Sequence, residues 1–141
     1  MSTKYKIAIV DDHALVRRGI AETLGDEPDF EVVGEGACAR DAIAVAHEKQ
    51  PDLIFLDVNM PGGGIEAASR IHAGHPGMKI AMFSFRQDLA IVKAAMAAGA
   101  TGYVVKGISG PALVAVARRM LAGELCIDPE LSKRLAHIEA T

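Results

Sequence analysis

The sequence predicts an α/β fold built on an open parallel sheet. Short apolar runs alternate with longer segments of helical period about five times along the chain, the pattern of βα units. One run, Leu53 to Leu56, is apolar at every position, as expected of a central strand covered on both faces. Four of the runs end in a polar residue: Asp11-Asp12 after KIAIV, Asp57 after LIFL, Ser84 after KIAMF and Lys106 after GYVV. In a parallel sheet the carboxyl ends of the strands share one edge, where ligands bind.

The elements follow in order. Tyr5 to Val10 is the first strand, and the helix after it carries Val16, Ile20 and Leu24 on one face before Gly25 stops it. Phe30 to Gly34 is the second strand. Arg40 to Glu48 is a helix with Ile43 and Val45 expected inward and Pro51 beyond its end. After the central strand the loop Asn59-Met60-Pro61-Gly62-Gly63-Gly64 reads as flexible and bare of side chains. A helix from Ile65 to Ala73 follows, broken by Gly74 and Pro76. Lys79 to Phe83 is the fourth strand, Leu89 to Ala98 an Ala-rich helix closed by Gly99, and Thr101 to Val105 the fifth strand. Pro111 suits the first turn of a last helix ending near Gly123. The stretch 124–141 reads as a tail or the start of an interdomain linker helix after Asp128-Pro129, which leaves 1–123 as the principal unit.

Composition narrows the function. A chain of 141 residues that is 50% hydrophobic fits one domain with a sizeable core. A formal net charge of -3 argues against a polyanion-binding face, and the pairs Arg118-Arg119 and Lys133-Arg134 are too sparse to make one. No apolar run approaches the roughly 20 residues of a membrane span, and the N-terminus leads straight into a strand, so no membrane is expected as a partner and the expected compartment is the cytoplasm. Cys38 and Cys126 are far apart in sequence and read as reduced, half-buried thiols.

The strand-end residues suit phosphoryl transfer. Singly, each has a bland explanation: an Asp that caps a helix, a turn Ser, a loop Lys. Together at one edge, the carboxylates would repel, since two charges about 5 Å apart at an effective dielectric of roughly 20 cost about 3 kcal/mol. A hard divalent cation, Mg²⁺ or Mn²⁺, relieves this with oxygen ligands. Asp57, in the middle of the edge, is the best candidate nucleophile. Asp11 and Asp12 would hold the metal with Asp57, and the backbone carbonyl of Asn59 is a further oxygen. Ser84 can donate a hydrogen bond to a phosphoryl oxygen and Lys106 can neutralise another.

At these residues the chain also resembles a known family. IAIVDDHALVRRGI, PDLIFLDVNMP, the serine of MFSF, and AGATGYVVKG are together similar to the receiver domain of two-component response regulators, from Lys6 to about Leu121. The resemblance implies a flavodoxin-like (βα)5 three-layer sandwich with strand order 2-1-3-4-5. It implies phosphorylation of Asp57 by a sensor histidine kinase, with Mg²⁺ at Asp11, Asp12 and Asp57. It further implies a switch in which Ser84 engages the phosphate and Tyr103 turns inward, altering the face made by the fourth helix, fifth strand and fifth helix. The DDHALVR opening, EVVGEG and AGATGYVVKG are similar to the subgroup usually joined to a LuxR-type helix-turn-helix, whose output is transcription. Contact with DNA is then expected only through an output domain that this chain does not contain.

Two departures stand out against that family. Phe85 occupies a position that is usually small, which suits an access gate to Asp57, and the Gly62-Gly63-Gly64 loop is one residue shorter than the common pattern. The competing readings are a receiver that acts by protein binding without phosphorylation, a Mg²⁺-dependent phosphatase and a flavin or nucleotide binder. The phosphatase typically needs a second Asp where Asn59 stands, and an amide cannot transfer a proton. The flavin or nucleotide binder would want a Gly-, Ser- or Thr-rich loop where Asp11-Asp12 stands. His13 reads as a first-turn surface residue, the pair His72 and His75 as helix-end residues rather than metal ligands, and Met60 and Met96 as packing. Leu113, Val114, Val116 and Ala117 of the last helix cannot all face the sheet; the surplus suits a homodimer or another domain, and the sequence leaves the two open.

Overall fold

The computed structural model describes residues 4–86 and 88–139, so the expected segments 1–123 and 124–141 begin and end outside the described residues. Successive side chains of each strand point to opposite sides of the sheet, and helices cover both, so the central strand is buried at every position. The strands β1 (Tyr5–Val10), β2 (Phe30–Gly36), β3 (Leu53–Asp57), β4 (Lys79–Ser84), β5 (Gly102–Val105) and β6 (Cys126–Ile127) form one parallel sheet in the order β2-β1-β3-β4-β5-β6. The helices are α1 (Ala14–Gly25), α2 (Ala39–Lys49), α3 (Gly64–Gly74), α4 (Leu89–Ala97), α5 (Gly110–Leu121) and α6 (Pro129–Glu139).

The expected order 2-1-3-4-5 is present, with one strand added at its edge. Cys126 and Ile127 pair with Gly102 and Tyr103. Two residues carry no readable period, so only the tertiary pairing reveals them as a strand. The helix expected after Asp128-Pro129 is α6, which packs on α4 and buries Leu131 and Leu135.

One side of the sheet holds Ile7, Ile9, Leu53, Phe55 and Phe83 under α1 and α5. The other holds Ala8, Val10, Ile54, Leu56, Ile80, Met82 and Tyr103 under α2, α3, α4 and α6. On α2 the fully buried residues are Ala42 and Ala46, while Ile43 and Val45, expected inward, are half-buried flanks. Alanine at the contact lets the helix lie close to the sheet, and Val45 fills the space over Gly34, where an added Cβ would come within 2.7 Å of it. On α5, Leu113, Val114 and Ala117 are buried and Val116 is left half-buried beside a groove between α5, β5 and β6. Asp88 caps α4 by accepting from the Ala90 N–H at 2.9 Å, and Ser109 caps α5 from the Ala112 N–H at 3.3 Å, with Pro111 in its first turn.

The loop from Asn59 to Gly64 is more anchored than its composition suggests. Met60 is buried in the core, the Pro61 carbonyl accepts from the Ala39 N–H at 2.9 Å, and Gly64 donates to the Val58 carbonyl at 3.1 Å. Gly62 and Gly63 take φ of 87° and 85°, a region that favours glycine. Gly64 packs so tightly that a Cβ there would collide with the Asp57 backbone carbonyl.

Candidate functional site

Strand register brings the polar ends together. Val10 of β1 is level with Leu56 of β3, so Asp11 and Asp57, the next residues, leave the sheet side by side. Asp57 is level with Phe83, and Ser84 with Val105, after which the Lys106 N–H donates to the Ser84 carbonyl at 2.8 Å. The four groups are buried: Asp11 is 1% exposed, Asp57 3%, Ser84 1% and Lys106 8%. Buried charges need partners. Lys106 Nζ lies 2.8 Å from Asp11 Oδ2 and 3.3 Å from Asp57 Oδ1.

The Asn59 N–H donates to Asp57 Oδ1 at 3.2 Å, whereas the buried Asp57 Oδ2 has no hydrogen-bond partner among the described residues. Burial raises the pKa of the Asp57 carboxyl above its ordinary value. The Asn59 hydrogen bond and Lys106 oppose that rise, and the neighbouring Asp11 adds to it.

Asp12 is more open, its side chain 34% exposed. One oxygen from each of Asp11, Asp12 and Asp57, with a nitrogen of His13, falls within 4.8 Å of the others. Three carboxylates against one ammonium leave two negative charges. Hard oxygen donors with that residual charge and an orphaned buried carboxylate oxygen fit a divalent cation of the Mg²⁺ or Mn²⁺ class.

Ser84 and Tyr103 are joined through one residue. The Ser84 Oγ accepts from the Arg86 N–H at 3.0 Å, and the Tyr103 hydroxyl donates to the Arg86 carbonyl at 3.0 Å. Tyr103 is buried, and that burial pushes its hydroxyl pKa up. Phe85, between them in sequence, is 66% exposed with its ring centroid 5.3 Å from Lys106 Nζ, a cation–π distance.

Two further groups border the site: His13, read from the sequence as a surface residue and exposed here, and the Arg86 backbone. His13 is the N-cap residue of α1, and its Nδ1 lies 3.3 Å from an Asp12 oxygen and 3.5 Å from an Asp11 oxygen. Its position directly after the acidic pair was the available signal. The Arg86 backbone had none, because any residue type supplies the same N–H and carbonyl. Three of the other histidines lie elsewhere: the His47 and His75 rings are 6.2 Å apart, and His72 packs under Gly99. Cys38 is half-buried and Cys126 buried, and both are free thiols. No helix among the described residues is long and apolar enough to cross a membrane.

Comparison with known proteins agrees with this geometry. A family model described as the response regulator receiver domain matches residues 7–118. The response regulator GacA of Pseudomonas aeruginosa is 36% identical over 132 residues, which cover 93% of this chain and 62% of GacA. VraR of Staphylococcus aureus is 40% identical over 128 residues, 89% of this chain and 61% of VraR. The chain thus spans less than two thirds of the length of these relatives. Among solved structures, a LuxR-family two-component response regulator from Aurantimonas sp. SI85-9A1 superimposes with a TM-score of 0.91 at 33% identity, covering 99% of this chain and 100% of that one. A CheY-like receiver domain protein from Methanospirillum hungatei JF-1 gives 0.80 at 25% identity, over 94% of this chain and 99% of that one. Acidic strand ends around a buried lysine, a flavodoxin-like sheet and these matches converge: the chain belongs to the response regulator receiver family, a class of signalling switch, and sits with its LuxR-type subgroup.

Proposed function

We propose that this chain accepts a phosphoryl group on Asp57 from a sensor histidine kinase in the cytoplasm and thereby switches conformation. The observation that carries the reading is the buried Asp57 Oδ2, without a hydrogen-bond partner among the described residues, beside an oxygen Oδ1 held by Lys106 and the Asn59 N–H. With Oδ1 held, Oδ2 is the atom free to attack. The P–O bond forms as the P–N bond of a phosphohistidine breaks, and the electron pair returns to the imidazole nitrogen, which takes up a proton. Lys106 then faces the new negative charge, and Ser84 exchanges its acceptance from Arg86 for donation to a phosphoryl oxygen. The carboxylates of Asp11, Asp12 and Asp57 and the Asn59 carbonyl would hold a divalent cation, which would supply charge neutralisation for the phosphoryl oxygens.

Tyr103 is the relay in this proposal. Movement of Ser84 alters the Arg86 backbone that anchors the Tyr103 hydroxyl, and Tyr103 sits on β5 beside β6. The chain's role is a switch rather than turnover of a substrate. Its output is transcription through a helix-turn-helix domain outside these residues, with 1–123 as the receiver unit and 124–141 leading into the linker. Homodimerisation on phosphorylation remains a companion proposal, although the apolar surplus expected on α5 is reduced to the half-buried Val116, since Leu113, Val114 and Ala117 are buried.

Intact mass with peptide mapping after incubation with Mg²⁺ and acetyl phosphate tests the reading. One phosphoryl adduct on Asp57 is expected, absent in Asp57→Asn and with EDTA. No adduct in the wild-type chain favours a receiver that acts by protein binding alone. The same assay tests Phe85 as an access gate: Asp57 Oδ2 is buried, and the Phe85 ring lies over Lys106 beside it. Phe85→Ala should speed labelling by acetyl phosphate several-fold, and an unchanged rate removes the gate.

A further inference from the structure

We infer that His13 supplies a nitrogen ligand to the cation site, so that this site selects Mn²⁺ over Mg²⁺ more strongly than its carboxylates alone would. The inference deepens the reading of Asp11, Asp12 and Asp57 as a metal site and rests on it. Three observations support the nitrogen. First, the His13 backbone is pinned on both sides: its N–H donates to Asp11 Oδ1 at 2.9 Å, and its carbonyl accepts from the Arg17 N–H at 2.9 Å. The imidazole therefore leaves the chain from a fixed point at the mouth of the acidic edge.

Second, the spacing suits ligands of one ion. His13 Nδ1 is 3.3 Å from Asp12 Oδ1 and 3.5 Å from Asp11 Oδ1, beyond the usual N–H···O range of about 2.7–3.2 Å. Neighbouring ligands of an octahedral ion with bonds of about 2.1 Å sit about 3 Å apart, so a small inward movement of the ring completes the shell. Third, the buried Asp57 Oδ2 has no hydrogen-bond partner among the described residues and belongs to a residue of the same cluster, which marks the edge as built for a ligand rather than for internal ion pairing alone.

The chemical consequence is selectivity. Mg²⁺ favours oxygen and holds its waters, whereas first-row transition ions accept imidazole, with affinity rising from Mn²⁺ towards Ni²⁺. His13 is exposed to solvent over 65% of its side chain, so it can replace a bound water without a rearrangement of the core. Mn²⁺ is the better probe than Ni²⁺, because the His47 and His75 rings lie 6.2 Å apart elsewhere and a pair of imidazoles would compete for Ni²⁺.

The test uses the full chain, with Mn²⁺ and Mg²⁺ affinities measured by calorimetry and the Mn²⁺ complex examined by pulsed electron paramagnetic resonance. The wild-type complex should show coupling to a directly bound ¹⁴N. His13→Ala, confirmed folded by its melting curve, should lose that coupling and weaken Mn²⁺ binding at least about tenfold, since even outer partners of metal ligands are worth 10–100-fold. Its Mg²⁺ affinity should stay within about twofold. Carboxylate-held Mn²⁺ with no nitrogen coupling, or equal affinities in His13→Ala, overturns the role of His13 and leaves the metal site standing. Absence of Mn²⁺ and Mg²⁺ binding, or binding unchanged in Asp12→Asn, overturns the site itself.

Discussion

Two clusters in this molecule contain the same charges in different surroundings. At the strand edge, Asp11 and Asp57 meet Lys106 at 2.8 and 3.3 Å, with side chains 2–4% exposed. On the surface, Glu27 and Asp29 meet Arg118 at 2.8 and 2.9 Å, with side chains 31–45% exposed. Distances barely differ, yet the acids respond in opposite directions. Hydrogen bonding to Arg118 lowers the Asp29 carboxyl below its ordinary value, while burial raises that of Asp57. Solvent makes the difference: an exposed carboxylate keeps its hydration and gains a partner, whereas a buried one gives up hydration first. The surface cluster ties α5 to the segment before β2. The buried one retains negative charge that its single lysine cannot balance, and that unbalanced charge is the feature a cation or a phosphoryl transfer can use.

The largest test of this contrast removes the buried cation. Lys106→Met should destabilise the metal-free chain by about 3 kcal/mol at neutral pH in urea unfolding, because it leaves two buried carboxylates without their ion pair. Added Mg²⁺ should restore part of that loss. A cost near zero would mean that the edge is far more hydrated than its burial indicates.

A smaller effect of opposite sign comes from the nucleophile position. Asp57→Asn should stabilise the metal-free chain by about 1 kcal/mol near pH 7, since Asp11 and Lys106 then pair one to one and a neutral amide replaces a buried charge. The sign follows from linkage: with the folded pKa raised, protonated Asp57 favours the fold, and that contribution is lost as pH rises through the raised value. The gain from Asp57→Asn should therefore shrink as pH falls through that value, and thermal melts across pH 4–8 would show it. Stability that drops at pH 7 in Asp57→Asn would place the Lys106 attraction above the cost of burial.

The smallest effect belongs to the surface. Arg118→Ala should lower the melting temperature slightly, and part of the loss should survive high salt because the guanidinium also lies 5.2 Å from the Phe30 ring centroid. Asp29 has a lowered pKa, so its contribution is present above the ordinary carboxylate range and disappears as pH falls through the lowered value. An Arg118→Ala loss equal to that of Lys106→Met would erase the contrast between the clusters.

Much of this architecture is legible in the residues. Strands β1, β3 and β4 show as apolar runs, and β3 shows as central because it has no polar face. The polar ends show because Asp11, Asp57, Ser84 and Lys106 each interrupt such a run. Strand β6 is not legible, since Cys126 and Ile127 become a strand only by pairing with Gly102 and Tyr103. Nor is the inner face of α2: hydrophobicity favours Ile43 and Val45, whereas closeness to the sheet selects Ala42 and Ala46.

By itself, the sequence determined which groups this protein brings to one edge, because strand periodicity and the residue after each apolar run are local properties. It also determined that the strands run parallel, through the helices that connect them, while their order 2-1-3-4-5 was implied by the resemblance to the receiver family. Tertiary structure alone decided which atoms meet. That Lys106 spans Asp11 and Asp57, and that the Arg86 backbone joins Ser84 to Tyr103, both depend on register between strands distant in the chain. It also decided which charges lose their water, and so why one cluster of two acids and a base is a surface tie and the other a reactive edge.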